Sequence, residues 1–155
     1  MRNVKFLAAV LAAALMSAPP ARAAAANDSA AAAASISAGP LPLVLGDRGQ
    51  LVQLFQNLLA NSIMYREASP PQIRVTSELG ADAMWTISVA DNGIGIDPQY
   101  QEQIFRIFGR LHGKDVPGTG IGLALCKKLI ERSGGSIWLQ SADGEGSTFF
   151  FTVRA

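Results

Sequence analysis

The chain has 155 residues, enough for one domain with a sizeable core, and a net charge of +1. That balance leaves no basic footprint, which argues against a nucleic-acid partner. A single cysteine, Cys126, excludes an internal disulfide, and the single histidine, His112, has no second His or Cys beside it to build a metal site.

At the N-terminus, Arg2 and Lys5 lead into an apolar run over 6–18 interrupted by Ser17 alone, and Ala21-Arg22-Ala23 has the small-residue form of a cleavage site. This is the order of a secretory signal peptide, and the run is too short to span a bilayer comfortably. The stretch that follows is Ala-dominated and low in complexity. Residues 1–34 are therefore expected to be a signal-like, poorly ordered segment, with the globular domain at 35–155.

Within 36–45, Leu41, Leu43 and Leu45 alternate, with Pro40 and Pro42 among them. That suits a short edge strand, where a missing N–H is tolerated. Asp47-Arg48-Gly49-Gln50 is a capping-box variant that opens a helix. Leu51, Leu54, Phe55, Leu58, Leu59 and Ser62 recur at helical spacing and give that helix a core face. Asn57 and Asn61 are four apart and stack beside that face. Two readings stay open for the pair. They are solvated surface amides, or one offers a carbonyl oxygen to Mg2+ while the other lies next to phosphates.

Pro70-Pro71 close this segment, and two alternating runs, Ile73-Val75-Ser77 and Ala83-Trp85-Ile87-Val89, form a hairpin about Gly80-Ala81-Asp82. Asp91 ends the second strand and opens a glycine-rich turn, Asp91-Asn92-Gly93-Ile94-Gly95-Ile96. Its carboxylate faces whatever those glycines allow the backbone to approach. Asp97-Pro98 is an N-cap with Pro at the first helical position, predicting a short helix that runs toward Ile104 and carries Phe105 and Phe108. Residues 109–117 hold Arg110, His112, Lys114 and Asp115, either an ordinary solvated loop or one that places cations before the next turn.

That turn has Gly118, Gly120 and Gly122 at alternate positions, followed by Leu123, Leu125, Cys126, Leu129 and Ile130 and closed by Gly134-Gly135. It reads as a tight turn feeding a helix with a glycine stop. Unpaired N–H groups at such a helix start suit a phosphate, and Cys126 reads as a small core residue. Alternating residues at 137–141, the turn Asp143-Gly144-Glu145-Gly146 and a Phe-rich strand at 148–153 complete the chain. The fold class is α+β, a two-layer α/β sandwich with a mixed, mostly antiparallel sheet and its helices on one face.

Three phosphate-binding patterns compete for the glycines. A Walker loop requires Gly-Lys-Ser/Thr, but Leu123 follows Gly122. A dinucleotide fingerprint requires a strand directly before the glycines and a βαβ unit. Residues 109–117 make a poor strand, and the strands that follow form a hairpin. The third pattern fits. Asn57-Leu-Leu-Ala-Asn61-Ser-Ile-Met-Tyr65, Asp91-Asn-Gly93-Ile-Gly95-Ile96, Ile104-Phe105-Arg-Ile-Phe108 and Gly118-Thr119-Gly120-Ile121-Gly122-Leu123 resemble the N, G1, F and G2 boxes of GHKL ATPases. The version is similar to the ATP-binding catalytic domain of sensor histidine kinases. Arg110-Leu-His112 and the segment from Gly134 to Trp138, with Gly146 to Phe149, resemble the phytochrome-like, light-regulated kinases. The likeness covers about 35–153.

The resemblance implies a Bergerat ATP-binding fold and a set of roles. Asp91 would bond the adenine amino group, with Gly93 and Gly95 letting the backbone pass beneath the base and Tyr65 packing near it. Asn61 would ligate Mg2+, and Asn57 would lie beside the phosphates. Gly118, Gly120 and Gly122 would shape the lid hinge and the phosphate-binding helix start, and Phe105 and Phe108 would anchor the lid. The implied ATP-contacting set also includes Ile96, Lys114, Thr119, Ile121 and Leu123. Hydrolases of the gyrase type place a Glu where Asn57 stands, and Asn cannot serve as a base. The implied chemistry is therefore transfer of the γ-phosphate to a delivered nucleophile.

Two departures accompany the likeness. Met64 stands where family members usually carry a phosphate-holding Lys, and losing one charged hydrogen bond costs about 1.5–3 kcal/mol; Arg66 and Lys114 are the candidate replacements. The family's phosphoacceptor helical hairpin is not recognisable, and His112 belongs to the lid-side loop. A His-containing dimerisation and phosphotransfer domain is thus expected in trans, and through it, indirectly, a response regulator. Two other readings stand beside this one: a regulator like the anti-sigma-factor Ser kinases, and a degenerate, non-catalytic remnant. An ATP-dependent domain belongs in the cytoplasm, whereas the signal-like start points to export.

Overall fold

The computed structural model describes residues 7–16, 34–66, 68–80, 82–106 and 120–155. Five strands form one sheet in the order β1-β2-β3-β5-β4: β1 (Ser35–Ala38), β2 (Gln72–Leu79), β3 (Met84–Asp91), β4 (Ile137–Ser141) and β5 (Ser147–Arg154). β1 runs parallel to β2, and the other three pairings are antiparallel. Among the described residues, helices α1 (Leu7–Met16), α2 (Arg48–Met64) and α3 (Gly122–Arg132) accompany the sheet, with two short 3-10 turns at Pro98–Tyr100 and Gln103–Phe105.

Alternation in the strands decides the core. Ile73 and Val75 of β2, Ile87 and Val89 of β3, and Phe149, Phe151 and Val153 of β5 all point to the helical layer and are buried. They meet Leu51, Leu54, Phe55, Leu58 and Leu59 of α2, with Cys126 and Ile130 of α3, in one cluster. Phe55 packs edge-on against Phe151, with ring centroids 5.7 Å apart. Burying a side chain of this size stabilises the fold by about 1.5–3 kcal/mol. On the opposite sheet face, Trp138 stacks flat on its register partner Phe150, and each shields the other from water.

The ends of the helices follow their sequence signals. Asp47 caps α2 by accepting from the Gln50 N–H at 3.0 Å, and the core face of α2 is Leu51, Leu54, Phe55, Leu58, Leu59 and Ser62. At the far end of α3, the Gly135 N–H bonds to Ile130 O and the Gly134 N–H to Glu131 O, with Gly134 at φ +78°. This is a Schellman closure, which glycine adopts without a Cβ penalty.

Three segments differ from the sequence expectation. The edge strand ends at Ala38 and does not continue to Leu45. Pro40 and Pro42 cannot donate to a ladder, and Leu43 and Leu45 are exposed while Val44 between them is buried. The short helix after Pro98 is a pair of 3-10 turns, although Asp97 caps the first as predicted. Leu7–Met16, inside the stretch expected to be poorly ordered, is a helix packed on α2. Leu7, Val10, Leu11 and Ala14 are buried at helical spacing, and the Leu7 N–H donates to Pro42 O at 3.2 Å. The run is apolar throughout, so its sequence hides the stripe. The division is by size, because most outward positions are Ala. No helix among the described residues is long and apolar enough to cross a membrane.

Candidate functional site

The site is built where β3 ends. Asp91 pairs in register with Ser147 at the start of β5, and its carboxylate collects three donors. Oδ1 accepts from the Gly93 N–H at 2.9 Å and the Ser147 N–H at 3.1 Å. Oδ2 accepts from the Ser62 hydroxyl of α2 at 2.9 Å. One carboxylate thus ties together a helix, a turn and a strand. Burial raises the Asp91 pKa above its ordinary 3.8, against the opposing pull of the bonds from Gly93, Ser62 and Ser147.

The glycines around Asp91 are required by close approach. A Cβ on Gly93 would lie 2.4 Å from Tyr65 O, and the Ile94 N–H bonds to that same carbonyl. The turn after β3 is therefore stitched to the end of α2. Gly95, at φ +74°, passes so near the β4–β5 turn that a Cβ would lie 1.8 Å from Ala142 O. The Gly144 N–H closes this crossing on Ile94 O at 2.7 Å, and the Ile96 N–H donates to Ser141 Oγ at 2.8 Å.

A second junction joins α2 to the start of α3. Gly122 abuts Asn57, whose Oδ1 would lie 3.2 Å from a Cβ there. Among the described residues, the buried Asn57 Nδ2 finds no oxygen acceptor and only the Cys126 thiol beside it, a poor acceptor. Burial pushes that thiol up to about 12, so Cys126 stays protonated as a core residue. Asn61, half-buried, is one turn from Asn57 on one side and from Tyr65 on the other, which lines the three along one edge of α2.

The other expected site residues are distributed as follows. Gly120 has φ +67° immediately before α3. Ile121 is exposed, whereas Leu123 and Ile96 pack partly into the core. Phe105 meets Phe149 edge-on, with centroids 6.4 Å apart. Lys114, Gly118, Thr119, Phe108 and His112 lie outside the described residues. The sequence reading did not assign Ser62, Ser147, Ser141 or Gly146 to the site. Gly146, at φ +80°, would bring a Cβ within 2.1 Å of Asp91 O. Ser62 carried a signal, since it is the one hydroxyl on an otherwise apolar helical stripe.

A family model described as histidine kinase-, DNA gyrase B-, and HSP90-like ATPase matches residues 46–155. The chain belongs to this ATPase family. Cyanobacterial phytochrome A of Nostoc sp. is 53% identical over 120 residues, which is 77% of this chain and 16% of that protein. Phytochrome-like protein Cph1 of Synechocystis sp. is 52% identical over 119 residues, 76% of this chain and again 16% of the relative. The chain thus spans a small part of the length of these relatives. Among solved structures, the catalytic domain of histidine kinase ThkA aligns with a TM-score of 0.72 at 25% identity, covering 99% of this chain and 97% of that one. The fold and the relatives of this ATPase-family chain are those of the ATP-binding catalytic module of sensor histidine kinases.

Proposed function

We propose that residues 35–155, with α1 packed against them, bind Mg-ATP in the cytoplasm and donate the γ-phosphate to a histidine on a separate domain or chain. The observation that carries this reading is the Asp91 carboxylate, which holds three protein donors and sits above a turn that only glycine permits. In this reading Asp91 receives the 6-amino group of adenine. Gly93 and Gly95 let the turn beneath the base pack directly on the carbonyls of Tyr65 and Ala142, with the Tyr65 side chain near the base. Asn57, whose Oδ1 abuts Gly122 at the start of α3, is assigned the place next to the phosphate oxygens.

No group of three His, Cys, Asp or Glu among the described residues could hold a metal. The ion in this proposal is Mg2+, which the Asn61 side-chain oxygen would hold together with phosphate oxygens, a hard-oxygen set that keeps water. When bound, Mg2+ would neutralise charge on the phosphates. Neither Asn57 nor Asn61 can take a proton from water. The site then positions the phosphate with slow hydrolysis at most, and the nucleophile comes from a histidine-bearing dimerisation domain that in turn serves a response regulator.

The test is calorimetry of Mg-ATP and Mg-ADP binding to the full chain, followed by transfer from radiolabelled ATP to an added phytochrome-type histidine hairpin. Saturable binding that is lost in Asp91→Asn, with label appearing on the hairpin, is the expected result. A folded chain that binds neither nucleotide would refute the proposal.

A further inference from the structure

Ser62 is buried at 2% exposure on the core side of α2. Its hydroxyl has one proton and two acceptors in reach, Leu58 O at 3.2 Å and Asp91 Oδ2 at 2.9 Å. Leu58 O is the carbonyl that the helix ladder assigns to the Ser62 N–H. Asp91 Oδ2 is closer and charged, so it is the stronger acceptor.

The lone pairs of Asp91 can then be counted. A carboxylate offers about four acceptor positions, two on each oxygen. Oδ1 is filled by the N–H groups of Gly93 and Ser147, and half of Oδ2 is filled by Ser62. Counting the described residues, one position is left, on Oδ2. All three hydrogen-bonding neighbours among the described residues are donors, so the carboxylate is held as an acceptor.

We infer that Ser62 is a positioning residue, whose hydroxyl anchors Asp91 Oδ2 and leaves one lone pair on that oxygen to accept from the amino group of a bound purine. This rests on the nucleotide reading above and deepens it. The site then requires an N–H donor at purine C6. It rejects a 6-oxo purine, whose carbonyl would face the carboxylate, and gains nothing from a purine without a C6 substituent. Without Ser62, Oδ2 loses its one donor among the described residues and is free to turn away from the base.

The test measures Kd by calorimetry for ADP, inosine diphosphate and purine riboside diphosphate with the full chain. The proteins are wild type, Ser62→Ala, Ser62→Cys, Ser62→Thr and Asp91→Asn. Loss of one charge-assisted bond predicts that Ser62→Ala weakens ADP about tenfold, while purine riboside diphosphate is unchanged. Ser62→Cys, nearly isosteric but a weak donor, should behave like Ser62→Ala, and Ser62→Thr, which keeps the hydroxyl, should restore ADP binding. A merely structural role would weaken both nucleotides equally, and that result, or an unchanged Kd for ADP, overturns the assignment. If wild type binds ADP but Asp91→Asn binds it as well, the nucleotide reading itself fails and Ser62 falls with it.

Discussion

Replacing Asp91 by Asn and by Ala should separate its two tasks, holding the fold together and meeting a ligand. In Asp91→Ala the N–H groups of Gly93 and Ser147 lose their acceptor, whereas the Ser62 hydroxyl can turn to Leu58 O. Two orphaned donors cost about 1–3 kcal/mol each, partly offset by no longer desolvating a charge, so the net loss is about 2–4 kcal/mol. In Asp91→Asn the retained oxygen still accepts both N–H groups, and stability should stay within about 1 kcal/mol of wild type. The amide nitrogen then takes the place of Oδ2 and presents a donor to the adenine amino group. That removes about 3 kcal/mol of binding, roughly a hundredfold in affinity. Urea unfolding followed by tryptophan fluorescence and calorimetry with Mg-ADP check the two halves. If Asp91→Asn unfolds as readily as Asp91→Ala, or binds ADP within about threefold of wild type, the hydrogen-bond reasoning is wrong.

Because burial raises the Asp91 pKa above 3.8, the folded state keeps this proton where the unfolded chain has released it. Its stabilising contribution is therefore full below 3.8 and lost as pH rises through the folded pKa. The stability advantage of Asp91→Asn should open over that window, and a gap independent of pH would count against it; ADP affinity should fall as pH drops through the same value. Met64→Lys, at the last residue of α2, should tighten Mg-ATP about tenfold by adding a charged bond. Arg66 already donates from Nη1 to Ile63 O, and an unchanged Kd would show that the charge is supplied elsewhere. Gly95→Ala meets both φ +74° and a carbonyl 1.8 Å from its Cβ, so it should cost about 3 kcal/mol or more. Gly144→Ala has the same φ but open space around it and should cost only about 1–2 kcal/mol; equal midpoints in urea would refute the contrast. Leu7→Ala, fully buried in α1, should lose about 2–5 kcal/mol, and unchanged stability would mean that α1 is dispensable to the folded unit.

What the sequence determined by itself was local and periodic. Asp47 as a cap, the six-residue core face of α2, the β2–β3 hairpin and the glycine stop of α3 each depend on neighbours within a few positions, so they could be read directly. The position of Asp91 at the end of β3, opening a glycine turn, was legible for the same reason. Tertiary structure alone decided which distant groups meet there. Ser62 reads as one more member of an apolar stripe until β3 brings Asp91 to it, 29 positions away, and Ser147 is silent until the β3–β5 register places its N–H on the same carboxylate. Gly95 and Gly146 look like ordinary turn glycines, yet each is compelled by a carbonyl from another segment. The Leu alternation of 41–45 misled because Pro40 and Pro42 end the ladder, a limit set by pairing and not by polarity. The apolar run at 7–16 carries no stripe to read, since a helix that is hydrophobic all round acquires an inside only when another surface, here α2, covers its larger side chains.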